Sequence, residues 1–375
     1  MNLAIISPGK NIYSETFIQA HKSIAADNVF FYYGGTIPSF LENDGVMNLT
    51  ASSFNKKSII KLVLKINLIK WIKSGLSLKE HLFAQSLKKK KIDVVLAEFG
   101  PTGVACLNVC KYLKIPLITH FHGYDITSAL DEYKDRYKVL LKECKYVVGV
   151  STEMVQSLIM LGADPKKVVY TPCGPSPIFY NTNRNLKGIS FVSVGRFVDK
   201  KAPYYVIMAF KEVVNRYPNA ILNMVGTGPL FDTCVNLSKY LGLSSSINFL
   251  GVKTPEEIQE LHSHSIAYVQ HSITAGNGDK EGTPVGIMEA SASALPVIST
   301  YHAGIKDVVV HRETGLLCDE HDVKGMAENM LWIIENSESA LRMGQKGRIF
   351  VKDNYSLERH ISILSSTVKK AYNGE

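Results

Sequence analysis

The sequence predicts an α/β protein built from two Rossmann-like domains, each a mostly parallel sheet with helices on both faces. Three observations predict it. The chain has 375 residues, more than one ordinary α/β unit holds. Short apolar segments alternate with helical stretches along most of its length. The apolar segments run continuously instead of alternating with polar residues, as expected for strands covered on both faces.

The first set of strands is LAIIS (3–7), VFFYY (29–33), DVVLA (93–97), PLITH (116–120) and YVVGV (146–150), with helical patterns between them at 16–26 and 102–113. The second set is ISFVSVG (189–195), AILNMVG (220–226), INFLG (247–251), IAYVQ (266–270) and LPVIS (295–299), with helices expected at 203–216 and 322–336. Between the sets, PCGPSPIFYNTNRNLKG (172–188) is rich in Pro, Gly and Asn and has no periodicity, so it reads as a connection. These patterns place a first domain at 1–173, a linker at 174–188 and a second domain at 189–355. A closing helix at 356–375 is expected to pack back on the first domain. Open parallel sheets bind ligands outside the carboxyl ends of their strands. If the two crevices face each other, substrates lie in the cleft between the domains.

Composition narrows the class. Apolar residues make up 46% and charged residues 20%, ordinary values for a globular enzyme. No apolar run is long enough to cross a bilayer. The opening MNLAIISPGK reads as a buried first strand, not a signal peptide, and the expected location is cytoplasmic. Six cysteines, at 106, 110, 144, 173, 234 and 318, form no CxxC pair and read as small buried hydrophobes in a reducing compartment. The net charge of +8 is local in origin: residues 54–91 hold eleven lysines against one acid, Glu80, so the remaining chain is slightly acidic. Within that segment Lys57, Lys61 and Lys65 share a helical stripe near Trp71. It reads as a face lying on anionic lipid, each basic residue contributing roughly 1 kcal/mol near the surface. The plain alternative is a solvated surface whose lysine stems cover apolar residues. No nucleic-acid recognition motif accompanies the charge.

The most informative stretch is EGTPVGIMEASASALPVIST (281–300). Gly282 and Thr283 make a turn, and Pro284 suits the first turn of a helix reaching about Ala294. Free N–H groups at 284–286, with the positive end of the helix dipole, would face an anion beside Val285. Glu281, in the loop before the helix, would stand at the level of a sugar. Glu289, within the helix, would accept from two vicinal ribose hydroxyls. A loop acid and an exposed helix charge are the bland alternative.

Strand 189–195 runs into GRFVDKKAP, where Arg196 and Lys201 could grip a diphosphate. Lys200 reads better as a solvated basic residue. VGTGPL (225–230), with Gly226, is a second Gly-rich turn. LGVKTPEEI (250–258) is a third strand end, where the backbone near Val252 could frame a nucleobase. In the first domain, THFHGYD (119–125) places His122 where it can bond a sugar hydroxyl, while His120 reads as packed. The loop SPGKNIYSETFI (7–18) offers Gly9 for close approach, with Ser14 capping a helix that starts near Glu15.

Together these residues resemble glycosyltransferase family 4, retaining enzymes of the two-domain GT-B fold, over nearly the whole chain. The Glu–seven–Glu element matches Glu281 and Glu289. The phosphate-binding pair matches Arg196 and Lys201, the donor-side histidine matches His122, and the first helix start matches Ser14, Glu15 and Thr16. The stretch HSITAGNGDKEGTPV (271–285) is similar to bacterial members that build exopolysaccharide, capsule or lipopolysaccharide. Ala202 stands where many members have Gly, and the first loop shows one glycine where many have two.

The resemblance implies transfer of a hexose, with retention, from a nucleotide diphosphate sugar to a saccharide or lipid-linked saccharide. A UDP-sugar is expected ahead of a GDP-sugar. No Asp-x-Asp motif is present, and no metal or other cofactor is expected. Catalytic roles fall to Glu281, His122, Arg196 and Lys201. Donor binding falls to Glu289, Gly282, Thr283, Pro284, Val285, Gly226 and Val252, and the acceptor side to Gly9, Ser14, Glu15 and Thr16. The rival readings are a sugar-nucleotide epimerase or phosphorylase on the same architecture, and a non-catalytic nucleotide-sugar-binding subunit.

Overall fold

A computed structural model describes residues 1–10, 16–46 and 74–375. The chain divides into two compact units. One comprises Met1–Val150, Met154–Thr171 and Ile361–Glu375; the other comprises Ser151–Glu153 and Pro172–His360.

The first unit is built on β1 (Asn2–Ile6), β2 (Asn28–Tyr33), β3 (Phe40–Leu41), β4 (Gly45–Val46), β5 (Val94–Glu98), β6 (Leu117–Phe121), β7 (Tyr146–Gly149) and β8 (Val168–Tyr170). Their order is β4-β3-β2-β1-β5-β6-β7-β8, parallel from β2 to β8, with β3 and β4 as an antiparallel edge. Helices α1 (Thr16–Ala20), α2 (Leu78–Lys89), α3 (Gly100–Leu113), α4 (Leu130–Glu143) and α5 (Thr152–Met160) follow in chain order. The apolar strand runs bury Leu3, Ile5, Val94, Leu96, Ile118 and Val148 in one cluster. Leu364 and Val368 join that cluster from the last helix. Close packing also dictates residue type at the start of α3. A Cβ on Gly100 would sit 2.6 Å from Phe121 and 2.7 Å from the Tyr137 hydroxyl. Upstream, a Ser77–Glu80 capping box sets where α2 begins.

The second unit carries β9 (Ser190–Val194), β10 (Ile221–Val225), β11 (Ile247–Phe249), β12 (Ala267–Val269), β13 (Val297–Thr300) and β14 (Gly315–Cys318). They form a wholly parallel sheet in the order β11-β10-β9-β12-β13-β14. Its helices are α6 (Pro203–Arg216), α7 (Phe231–Tyr240), α8 (Pro255–His264), α9 (Val285–Ala292), α10 (Ile305–Val308), α11 (Val323–Glu335), α12 (Ser337–Tyr355) and α13 (Leu357–Asn373), the last of which continues into the first unit. One core cluster packs Phe191, Phe210, Leu222, Met224, Met326 and Met330, and a second packs Tyr268 of β12 and Leu295 with Ile287 and Met288 of α9.

The structure departs from the sequence-based expectation in three places. Residues 174–188, expected as a linker, are bound to the second unit. Phe179 is buried, the Arg184 guanidinium donates to the Ala294 and Ser265 carbonyls, and Asn185 N–H donates to the Ser263 carbonyl. Pro and Asn composition marks an irregular path but says nothing about what that path packs on. Strands β3, β4, β8 and β14 were not expected, because two to four residues give too little pattern to read. The first helix ends at Ala20 and passes into a 3-10 turn, His21–Ser23, well short of the expected residue 26.

Ser14 and Glu15 lie outside the described residues, as does most of the lysine-rich stretch, 54–73. Among the described residues, no helix is long and apolar enough to cross a membrane. None of the six cysteines is in a disulfide, and all are buried.

Candidate functional site

In the second sheet the strand order reverses at β9: β10 and β11 lie on one side, β12 and β13 on the other. Such a reversal opens a crevice at the carboxyl ends of the strands. The residues leaving β9 and β12 there are Gly195, Arg196 and Gln270, and a small recess lies among Arg196, Phe197, Lys201, Pro203, Val225 and Gln270.

The turns around this recess are sewn together through their backbones. Gly195 N–H donates to the Val225 carbonyl, Phe197 N–H to Thr227 and Gly226 N–H to Gly251. Gly226 has φ +126°, and a Cβ there would lie 2.0 Å from the Gly195 carbonyl oxygen. Packing of one strand-end turn on the next therefore requires glycine there. Val252, at the end of the third turn, is 49% exposed. The segment TPEE forms the capping box of α8.

Arg196 is exposed and forms no ion pair among the described residues. Lys201 closes a 3-10 turn, Asp199–Lys201, followed by Ala202 at φ +34°. That left-handed position explains why glycine suits it. Lys201 Nζ lies 2.6 Å from Glu281 Oε2 and 3.3 Å from Gln270 Oε1. The expected phosphate-binding lysine and the expected sugar-binding acid are therefore partners in the free chain. Burial works against ionisation of Glu281, but Lys201 and Lys200 outweigh it and hold the carboxyl below its usual range. Lys200 corrects another expectation. It is buried, not solvated, and donates to Asp279 Oδ1 at 3.0 Å and to the Lys280 carbonyl at 3.1 Å.

Helix α9 begins at Val285, with Pro284 as its N-cap, and ends at Ala292. The expected donors at 284–286 need correction. Pro284 has no N–H, and Val285 N–H is taken by the Thr283 carbonyl. Gly286 and Ile287 are left as the N–H groups without an acceptor among the described residues. The helix start abuts the strand ends closely: a Cβ on Gly286 would lie 2.8 Å from the Tyr268 hydroxyl and 3.3 Å from the Val194 carbonyl. The Tyr268 hydroxyl itself sits 2.8 Å from that carbonyl. Gly282 is buried, and its carbonyl leaves no room for a Cβ on Gly304, which would approach within 1.7 Å.

Glu289 is half-buried on α9, with no hydrogen bond or ion pair to its carboxylate among the described residues. Burial without a compensating cation pushes its pKa up to about 8. Glu281 is anchored differently. Its N–H donates to His302 Nε2 at 3.1 Å, His302 Nδ1 lies 2.6 Å from Glu320 Oε1, and Glu320 Oε2 accepts Thr274 N–H at 2.8 Å. His302, Glu320, Gln270 and the N–H of Ile287 were not anticipated from the sequence. The spacing of a motif does not reveal residues that reach it from other strands.

In the first sheet the order reverses between β1 and β5. Gly9 is half-buried just past β1, and Pro8 accepts Gly34 and Gly35 N–H groups at 3.2 and 3.0 Å. Thr16 opens α1. His122 follows β6 and is buried, with Nε2 3.0 Å from Glu98 Oε2. His120 Nδ1 lies 3.1 Å from the same oxygen, and His21 Nδ1 lies 2.6 Å from Glu98 Oε1. Burial opposes ionisation of Glu98, yet the imidazoles around it hold the carboxyl well below its usual range. Burial also depresses His120 to about 4 and lowers His122. His120 is packed as expected. The expectation that His122 faces a sugar hydroxyl omitted Glu98, which fixes the ring. His21, Glu98 and His120 are also grouped closely enough to hold a metal ion. The 2.6 Å between His21 Nδ1 and Glu98 Oε1 is that of a direct hydrogen bond.

A free arginine, a paired lysine, open helix N–H groups and two acids thus lie at one set of parallel-strand ends. The family model described as Glycosyl transferases group 1 matches residues 178–350, and that described as Glycosyltransferase Family 4 matches residues 66–176. The chain belongs to the glycosyltransferases of this family, which carry the GT-B fold. A Salmonella typhimurium glycosyltransferase assigned by name to colanic acid biosynthesis, WcaL, is 30% identical over 246 residues, covering 64% of this chain and 60% of that protein. The amylovoran biosynthesis glycosyltransferase AmsK of Erwinia amylovora is 27% identical over 286 residues, covering 74% and 70%. The chain thus aligns with about 60% of the length of the first of these relatives.

The crystal structure of Anabaena HepE with UDP and glucose matches at a TM-score of 0.74 and 14% identity, over 99% of this chain and all of that one. Sucrose-phosphate synthase from Thermosynechococcus elongatus matches at 0.75 and 17% identity over the whole of both chains. At these identities the likeness establishes the fold.

Proposed function

We propose that the chain transfers a hexose from a UDP-sugar to a saccharide or lipid-linked saccharide during bacterial surface polysaccharide synthesis, with retention of configuration. The observation that carries this reading is the grouping of Arg196, Lys201, Glu281 and the open start of α9 around the ends of β9 and β12. Arg196 and the Gly286 and Ile287 N–H groups bind the diphosphate. Lys201, already 2.6 Å from Glu281, stands between the phosphate and the sugar that Glu281 orients. Glu289 accepts from the ribose hydroxyls. The UDP in the Anabaena structure and the polysaccharide names of the relatives support the choice of donor and product.

In the reaction the bond from the anomeric carbon to the phosphate oxygen breaks and the acceptor oxygen bonds to that carbon on the same face. The acceptor's proton passes to the departing phosphate oxygen. Charge stabilisation and positioning carry the catalysis. Protein cations and helix N–H groups supply the positive charge, so no metal is required. The lysines at 88–91 and the lysine-rich stretch before them support residence on an anionic membrane face at the inner side of the cell membrane.

One experiment tests these points together. The chain is incubated with labelled UDP-hexoses, a chelator and anionic vesicles carrying lipid-linked saccharide. The expected result is label on the acceptor, chain sedimenting with the vesicles at low salt, and a loss of transfer of at least 100-fold in Arg196→Ala. Transfer by Arg196→Ala at the unsubstituted rate contradicts the phosphate assignment. Donor isomerisation without transfer favours the epimerase reading, and absence of the chain from the vesicle pellet contradicts the membrane reading.

A further inference from the structure

We propose that Glu320 and His302 are positioning residues that clamp the loop carrying Glu281. The proposal rests on the function proposed above. The loop from Thr274 to Glu281 contains Gly276 and Gly278 and has no helix or strand of its own. A loop of this kind loses much conformational freedom if it is to present one carboxylate in one place. Three hydrogen bonds restrain it, through His302 in the turn after β13 and Glu320 in the turn after β14.

Glu320 uses its two oxygens for the two ends of the loop. Oε2 accepts Thr274 N–H at 2.8 Å, at the loop's beginning. Oε1 lies 2.6 Å from His302 Nδ1, and His302 Nε2 accepts Glu281 N–H at 3.1 Å, at the loop's end. The donor and acceptor roles are fixed by this chain. An Nε2 that accepts from a backbone N–H carries no proton, so the imidazole proton is on Nδ1 and points at the carboxylate. His302 is 1% exposed, so each of its ring nitrogens depends on these protein partners. The Glu281 carbonyl is also engaged, by Gly304 N–H at 3.3 Å. The Glu281 backbone is therefore held on both sides, and its side chain is aimed at Lys201. His302 and Glu320 touch neither the proposed phosphate cations nor Glu289, so their effect should fall on the sugar step and not on nucleotide affinity.

The test uses two variants of the full chain that split the imidazole's roles. His302→Gln keeps an acceptor near the Nε2 position. His302→Asn keeps a polar group near Nδ1 and loses the acceptor for Glu281. The expected result is a 10- to 100-fold fall in kcat for His302→Asn, since small misplacements of a positioned group have effects of about this size. His302→Gln should recover most of the rate, and both variants should bind UDP within about threefold of the unsubstituted chain. Amide hydrogen exchange of the 274–281 peptide, read without any substrate, should quicken at least tenfold in His302→Asn and in Glu320→Gln. An unchanged exchange rate, or parallel losses of kcat and UDP affinity, would overturn the clamp. An unsubstituted chain that neither binds UDP nor transfers sugar, but shows the expected exchange pattern, would instead overturn the proposed function and leave the clamp standing.

Discussion

Glu289 shows what a single residue reveals about binding. Its carboxyl is raised to about 8 by burial, with no cation near enough to offset the desolvation. Between the ordinary carboxylate value of 4.5 and 8, the folded chain holds a proton that the unfolded chain has released. Stability therefore falls as pH rises through that window and levels off above it. Replacing Glu289 by Gln removes the titration. The expected outcome is a flatter melting temperature between pH 5 and 8, a more stable chain at pH 8 by on the order of 1 kcal/mol, and nucleotide affinity at least tenfold weaker. A Gln variant that keeps both the pH slope and the affinity would show that this carboxyl neither titrates in that range nor meets the ligand. The sequence marked this acid by its place eight positions after Glu281, with seven residues between them. It did not show that Glu281 would be ionised beside Lys201 while Glu289 was left unpaired, because that contrast depends on side chains from β9 and its following turn.

At the level of elements, the strand-end turns explain both what was legible and what was not. The long apolar strands were readable because burial on both faces demands continuous hydrophobes, and all ten expected strands are present. The short edge strands were not, since two residues such as Phe40–Leu41 owe their pairing to neighbours. The glycine-rich turn at Gly226 was visible, but its purpose was not. It accommodates the Gly195 carbonyl, and so sets the path of the backbone that presents Arg196. Gly226→Ala combines a φ of +126° with a Cβ 2.0 Å from that oxygen. The expected cost is about 2–3 kcal/mol in the unfolding of the second unit, seen as a lower denaturant midpoint. A midpoint unchanged within error would mean that the turn relaxes freely and does not set the position of Arg196.

At the level of the whole molecule, the two parallel-sheet units and the family they belong to followed from strand rhythm and from EGTPVGIME. The candidate site was legible as a set of residues, Arg196, Lys201, Glu281 and Glu289, but its supports were not. Glu98 ends a strand as an unremarkable acid in the sequence, yet it gathers His21 from the turn after α1 and His120 and His122 from the end of β6. His302 and Glu320 lie 21 and 39 positions beyond Glu281, outside the reach of any local pattern. The central claim is that the strand ends of the second unit hold a nucleotide's diphosphate. Calorimetric titration of UDP into the unsubstituted chain and into Arg196→Ala tests it most directly. The account predicts saturable binding that weakens at least tenfold in the variant, with the melting temperature of the free chain unchanged. Equal affinities in the two proteins, or no binding heat in either, would contradict it.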